Sequence, residues 1–413
     1  MMAAEGPYLA AVIARLPDAT YNLAAYGVTL AFAFVIESPV VMLMTASTAL
    51  AEDSDRFRRL RNFAYALMGG VTAVLLIVLI PTVFRFLAID VVAVPQEVAS
   101  LTYGALWILI PWPAAIGFRR FYQGLLIRDD KTRLVAVGTV VRLVSMTGTA
   151  LALFALTNLP GAWVAAAALS MGVTVEAVAS RWMARDSVHA VLGQQPDADS
   201  RTLDYPAIIR FYIPLALTSL IGFAVHPMLT FFMGRSPEPV TSLAVFPVVN
   251  ALAFLFRSLG LAFQETSIAL MGRRFAHRKQ LRTFAWSLGI VTSIALALVA
   301  LTPLAYVWFE VVSGLAPELA RFALLPTLLL VPVPLLSVFL SYFRGVLVRA
   351  HQTRPITIAT ALEVACIAAV FPFLTSVFGV VGVTAAAGAF TAGRTASVLS
   401  LLPRAIAAVR EAR

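Results

Sequence analysis

The chain of 413 residues holds one cysteine, and Asp, Glu, Lys and Arg together make up only 13% of it. A lone cysteine excludes an intrachain disulfide, and Cys366 sits in an apolar run that says nothing about redox compartment. The marks of an enzyme are also missing. There is no cluster at metal-ligand spacing, no phosphate-cradling loop and no nucleophile beside a base. The sequence therefore implies no enzyme, no cofactor and no metal. The apolar runs are continuous rather than alternating, which excludes a closed β-barrel. No basic stretch precedes the first apolar residues, which argues against a cleaved signal peptide.

What is present is apolar surface. Hydrophobic residues make up 60% of the chain, and mean hydropathy is +0.89. No soluble protein of this length has a core that could hide so much. The chain reads as an all-α polytopic membrane protein whose surroundings are the lipid bilayer. A span needs about 20 mainly apolar residues. Long helices are expected at 22–50, 58–84, 99–127, 132–157, 160–187, 205–234, 239–270, 280–309, 316–349, 354–374 and 381–408, about 11 full spans.

The net charge of +10 raises nucleic acid as a partner, but its distribution excludes one. Of 31 Lys and Arg, 24 fall on one side of the expected spans, among them Arg56, Arg58, Arg119, Arg120, Arg278, Arg282, Arg344 and Arg410. Four fall on the other side: Arg15, Arg85, Arg235 and Arg321. The positive-inside rule makes the rich side cytoplasmic. Both termini are then cytoplasmic, in a plasma or bacterial inner membrane.

The chain repeats itself. PWPAAIGFRRFYQGLLIRDDKTR at 111–133 matches PVPLLSVFLSYFRGVLVRAHQTR at 332–354, an offset of 221. Pro7, Arg15, Pro17, Leu23 and Ala24 match Pro227, Arg235, Pro237, Leu243 and Ala244 at offset 220. Pseudo-symmetric halves in an apolar chain mark a two-lobed transporter. Pro227 has a half-helix before it and Pro7 has six residues, so the first helix reads as truncated by ~16 residues. With it restored, the plan is two six-helix lobes: 1–187, a polar cytoplasmic linker at 188–204, and 205–413.

Ionisable groups inside spans are costly and face a cavity or a partner. The candidates are Glu5, Glu37, Arg142, Glu176, Arg257, Glu265, Glu363 and Arg394. Glu37 aligns with Arg257, Arg142 with Glu363, and Glu176 lies within a turn of the position matching Arg394. At three related positions the halves carry opposite signs. One reading is that these charges meet across the lobes and part when a cavity opens; the other is that each is satisfied within its own lobe. His226, beside Pro227, is a proton-carrier candidate or a kink histidine. Pro111, Pro113, Pro332 and Pro334 are expected to kink two related helices, as hinges or as shape. Tyr122-Gln123-Gly124 and Phe343-Arg344-Gly345 sit at cytoplasmic helix ends.

Two lobes of six helices with a cytoplasmic linker resemble the MOP superfamily, which includes MATE drug exporters, lipid-linked oligosaccharide flippases and the progressive ankylosis protein. Asn22–Phe32 (NLAAYGVTLAF), Ile213–Ser236 (IPLALTSLIGFAVHPMLTFFMGRS) and Val331–Thr353 look most like the ankylosis group. That resemblance implies alternating access and efflux of a small organic or phosphate-type anion, with Arg142, Arg257 and Arg394 as anion contacts. The chain departs from MATE exporters in having Glu5 as its single first-helix acid and no mid-membrane acid in the seventh and tenth spans. Protons, through Glu5 or Glu37, are the candidate coupling ion. A MATE-type antiporter of drugs or organic cations and a flippase for a lipid-linked glycan are the alternatives. The partner is a small-molecule solute, and a monomer is expected.

Overall fold

The computed structural model describes residues 4–194, 204–271, 275–350, 352 and 354–411. Of the expected linker, only 188–194 and 204 fall within these, and the Glu265 side chain lies outside them. The described residues are helical almost throughout. The first helix is α1 (Glu5–Ala14). Then follow α2 (Ala19–Val41), α3 (Leu43–Leu50), α4 (Ser54–Val78), α5 (Pro81–Arg85), α6 (Gln96–Ile108), α7 (Trp112–Arg128), α8 (Thr132–Leu156), α9 (Gly161–Met183), α10 (Arg185–Gly193) and α11 (Tyr205–Phe223). The rest are α12 (Val225–Gly234), α13 (Pro239–Leu270), α14 (Arg278–Leu301), α15 (Leu304–Tyr306), α16 (Pro317–Leu330), α17 (Val333–Arg349), α18 (Arg354–Phe378) and α19 (Gly382–Glu411).

By length and apolarity nine of these segments can cross a membrane, and α6 with α7, bent by 44°, makes a tenth. The 30-residue α19 supplies the eleventh expected helix, its apolar runs interrupted by Arg394, Arg404 and Arg410. Large apolar side chains stay exposed along the outer helices: Val144 on α8, Val291 on α14 and Ile358 on α18. In water each would oppose folding; in lipid they are the expected solvent-facing surface.

Two compact units form. Among the described residues, one contains those from 16 to 227 and the other those from 4 to 15 and from 228 to 411. The expected division at 188–204 keeps each first helix with its own lobe. In the structure α1 packs on α13 and belongs with the second unit, while α11 packs on α2 and α4 and belongs with the first. The packing contacts give the reason. Arg15 donates to the carbonyls of Ala11 (2.7 Å), Val311 (2.6 Å) and Val312 (2.9 Å), tying α1 to the turn after α15. The Tyr212 hydroxyl donates to the Pro39 carbonyl, and its ring meets Phe63 edge-on at 5.2 Å, tying α11 to α2 and α4.

The duplication read from the sequence is a duplication of backbone. α7 and α17 are 17 residues each, and α8 and α18 are 25. Wide π-turns recur at Phe86–Val91 and Val307–Val312. Asp18 and Glu238, at offset 220, both take a left-handed backbone (φ 52) ahead of α2 and α13. The prolines also recur, in a different role from the expected mid-helix break. Pro111 and Pro332 precede α7 and α17, and Pro113 and Pro334 lie in their first turns, where the missing N–H has no intrahelical partner to lose. The bend at α6–α7 is 44°, whereas 317–349 still counts as one span.

Packing explains the motif glycines. A Cβ at Gly124 would collide with the Ser47 hydroxyl and the Met44 carbonyl; at Gly345 it would sit 2.6 Å from Ser267 Oγ. A Cβ at Gly172 would sit 3.0 Å from Met146 Cβ, and at Gly393 2.9 Å from the Glu363 carbonyl. These small residues let helix backbones approach, the main source of helix adhesion when lipid removes the hydrophobic drive. Near the start of α2, Asn22 donates to the carbonyls of Pro17 and Asp18 (both 3.1 Å) and accepts from Ala162 N at 3.0 Å, joining α2 to α9.

Gly393→Val is expected to lower stability by about 1–3 kcal/mol through overpacking. Gly148→Val, where nothing lies within 4 Å, serves as the matched control. Thermal unfolding in detergent reads the difference; equal melting temperatures would refute the close approach.

Candidate functional site

α8 has a single buried stripe: Gly138, Arg142, Met146 and Ala150, four residues apart. α18 has the same stripe at offset 221: Ala359, Glu363, Ile367 and Phe371. The rest of each helix is largely exposed, so the one charge on each stripe must be satisfied by the helix it packs against. For α8 that helix is α9, and for α18 it is α19.

In the first unit the partner is Glu176 on α9, fully buried. Arg119 on α7 donates to it at 2.7 Å, Gln123 Nε2 donates at 3.1 Å, and the Arg142 guanidinium lies 3.9 Å away. One carboxylate on α9 thus gathers side chains from two neighbouring helices, α7 and α8. Glu37, on α2, is also buried and accepts from Trp112 Nε1. Arg119, Arg120 and Arg142 lie within electrostatic reach of it. Arg142 stands over the Trp112 ring, 6.0 Å from its centroid. The cluster therefore holds three arginines and two carboxylates.

In the second unit Arg394 on α19 pairs with Glu363 on α18 at 2.8 Å. Polarity is reversed: where α8 supplies the base and α9 the acid, α18 supplies the acid and α19 the base. Arg257, on α13, stands over Phe254 (4.9 Å) and Phe390 (5.3 Å), and Arg394 covers Phe390 at 5.1 Å. Two cations thus share one aromatic ring, an arrangement that supports positive charge without neutralising it. Arg344 on α17 donates to Thr360 at 3.1 Å and lies within electrostatic reach of Glu363 and Arg394. Among the described side chains this cluster holds three arginines and one carboxylate.

Of the expected residues, Glu37, Arg142 and Glu176 come together in the first unit, and Arg257, Glu363 and Arg394 in the second. Arg142, Glu176, Glu363 and Arg394 each have an ion-pair partner inside their own unit. Glu5 is buried on α1, in the α1–α13 packing near Gly6 and Ala251. His226, at the start of α12, meets Phe34 edge-on at 5.3 Å. Among the described residues no group of His, Cys, Asp or Glu is arranged to hold a metal ion.

Sequence reasoning missed Arg119, Arg120, Arg344 and Trp112 as cluster members. The arginines had been counted with the topological charges of the rich side. Arg119 is only 2% exposed. The available signal was position: Arg119 and Arg120 lie well inside the repeat segment, a full turn before the glycine of its helix crossing.

No family profile matches the sequence, and no curated protein does. Solved structures do. An inward-facing multidrug resistance MATE family transporter of the MOP superfamily has 16% identity and TM-score 0.70, over 98% of this chain and 96% of that one. The lipid II flippase MurJ has 13% identity and TM-score 0.73, over 99% and 87%. The Vibrio cholerae MATE transporter VcmN has 14% identity and TM-score 0.65, over 99% and 97%. At these identities the likeness is one of fold: an all-helical membrane protein with the two-lobed architecture of MATE transporters.

Glu176→Ala is expected to cost about 3–5 kcal/mol, because it strands Arg119 and Arg142 in a dry interior. Adding Arg119→Leu should recover part of the loss. A double-mutant cycle on thermal unfolding measures the coupling, and strictly additive losses would contradict the pairing.

Proposed function

We propose that this protein is a secondary transporter that exports a small organic or phosphate-type anion by alternating access between two lobes. The reading includes the progressive ankylosis likeness, a bacterial inner-membrane location, cytoplasmic termini and no catalytic step. One observation carries it: among the described side chains, each buried cluster holds more arginines than carboxylates. Arginine stays charged under any physiological condition, and its planar fork matches carboxylate and phosphate oxygens. A buried excess of such groups is costly to maintain without an anion to meet it. Arg257 is the foremost contact, because aromatic faces flank its guanidinium while Glu363, within its electrostatic reach, is ion-paired to Arg394. Arg142 and Arg394 assist, with Glu176 and Glu363 as partners they exchange during the cycle.

The second reading is a MATE-type proton-coupled antiporter of drugs or organic cations. It rests on Glu37, a buried carboxylate held by Trp112 and suited to carrying a proton. A flippase for a lipid-linked glycan is the third, supported by the likeness to MurJ.

The deciding measurement is metabolite efflux from cells expressing the chain, beside an Arg257→Ala variant of equal membrane abundance. Release of citrate-like or phosphate compounds is expected from the parent and is expected to fall at least tenfold in the variant. Absent anion release, with drug resistance surviving in Arg257→Ala and lost in Glu37→Gln, would favour the antiporter. Glu363→Lys should abolish transport while the protein still reaches the membrane; full activity would remove that pair from the cycle.

A further inference from the structure

The second unit has an apolar groove. It encloses ≈ 580 Å³ between α14 and α19, with α17 as its floor. Its walls are apolar: Trp286 on α14, Phe339 and Phe343 on α17, and Val398, Leu402 and Ile406 on α19. Arg278, Arg282 and Arg410 stand at one end, and no carboxylate is among the lining residues. These arginines occupy the first turns of α14 and the last turn of α19, so they mark the same end of two antiparallel helices. No acid lies in the first turn of α14 to answer its helix dipole.

The matching place in the first unit carries different contacts. Tyr65 stands where the second unit has Trp286, and its hydroxyl lies 2.9 Å from that of Tyr122, the counterpart of Phe343. Phe118 stacks on Tyr65 with the rings 7° from parallel. Arg181, the counterpart of Leu402, covers Tyr122 at 5.2 Å. The helix then breaks at Ala184, and α10 packs on α4, α7 and α9. In the second unit the two hydroxyls are gone, the bridging arginine is a leucine, and α19 runs on without a break.

We propose that this groove binds an anionic phospholipid, with the phosphate on Arg278, Arg282 and Arg410 and an acyl chain along Trp286, Phe339 and Leu402. Length favours a lipid over a soluble anion. From Arg410 to Val398 is 12 residues, or about 18 Å at 1.5 Å per residue. That is close to one leaflet, half of a hydrocarbon core of ~30 Å. Charge favours an anionic headgroup, since basic pockets between helices at the cytoplasmic surface attract such lipids. An exposed groove of this kind cannot stay empty in a bilayer; the arginines decide which lipid fills it. The lipid would brace α14 against α19, the task that Tyr65, Tyr122 and α10 perform in the first unit. The proposal stands independently of the transported solute.

The test is native mass spectrometry of the full chain in detergent, titrated with phosphatidylglycerol or phosphatidylcholine. The intact protein should retain phosphatidylglycerol selectively. The Arg278→Ala/Arg282→Ala/Arg410→Ala variant should bind it about a hundredfold more weakly, the loss expected for three interfacial arginines. The corresponding triple lysine variant should keep the preference, which separates lost charge from lost fold. Phosphatidylglycerol with brominated chains should quench a fluorescence component that Trp286→Phe removes. Equal retention by parent and alanine variant, or no preference over phosphatidylcholine, would overturn the proposal. Displacement of the lipid by millimolar inorganic phosphate would reassign the arginines to a soluble anion.

Discussion

The structure depends on a buried ion pair held by a close helix crossing in each half. α8 and α18 show lipid nearly all of their surface and bury a single stripe, and each stripe carries one charge. In a low-dielectric interior such a charge must have a partner within reach. Gly172 and Gly393 remove the Cβ that would hold the helices apart. Glu176 and Arg394 follow those glycines within a turn or less and meet the charges opposite. Around these pairs the remaining arginines and aromatic rings assemble.

Duplication conserved the backbone and reversed the chemistry. Helix lengths, π-turns and left-handed caps recur at offsets of 220 and 221. Over that common frame the ion pair has opposite polarity, and the position of Glu37 is taken by Arg257. One cluster answers its arginines with two carboxylates, the other with one. A shared scaffold thus carries two electrostatically different halves. The same divergence gives one half a hydrogen-bonded tyrosine pair where the other has an apolar groove.

Much of this was legible in the residues themselves. α9, expected at 160–187, runs Gly161–Met183, and α13, expected at 239–270, ends at those residues. Arg142 and Glu363 stood out because a charge within a continuous apolar run cannot be indifferent to its surroundings. Arg119 did not stand out, since a charge count alone does not separate a buried arginine from a topological one. Trp112 gave no warning of its bond to Glu37, because the two are 75 positions apart. Nor could the proline motif tell a mid-helix break from a helix start.

Hydropathy summed along the chain, and similarity between its own segments, were enough to point to a duplicated helical membrane protein; of the eleven expected spans, nine segments and one bent pair are long and apolar enough to cross a membrane. Those properties are local and additive, so they survive reading in one dimension. Which way each helix turns, which carboxylate an arginine meets, and which unit α1 and α11 join were decided by tertiary structure alone. These depend on close approach between distant segments: a glycine opposite a serine, a tyrosine reaching a carbonyl 173 positions away. Such encounters have no counterpart in sequence spacing, because they are set by the packing of whole helices rather than by the period of any one.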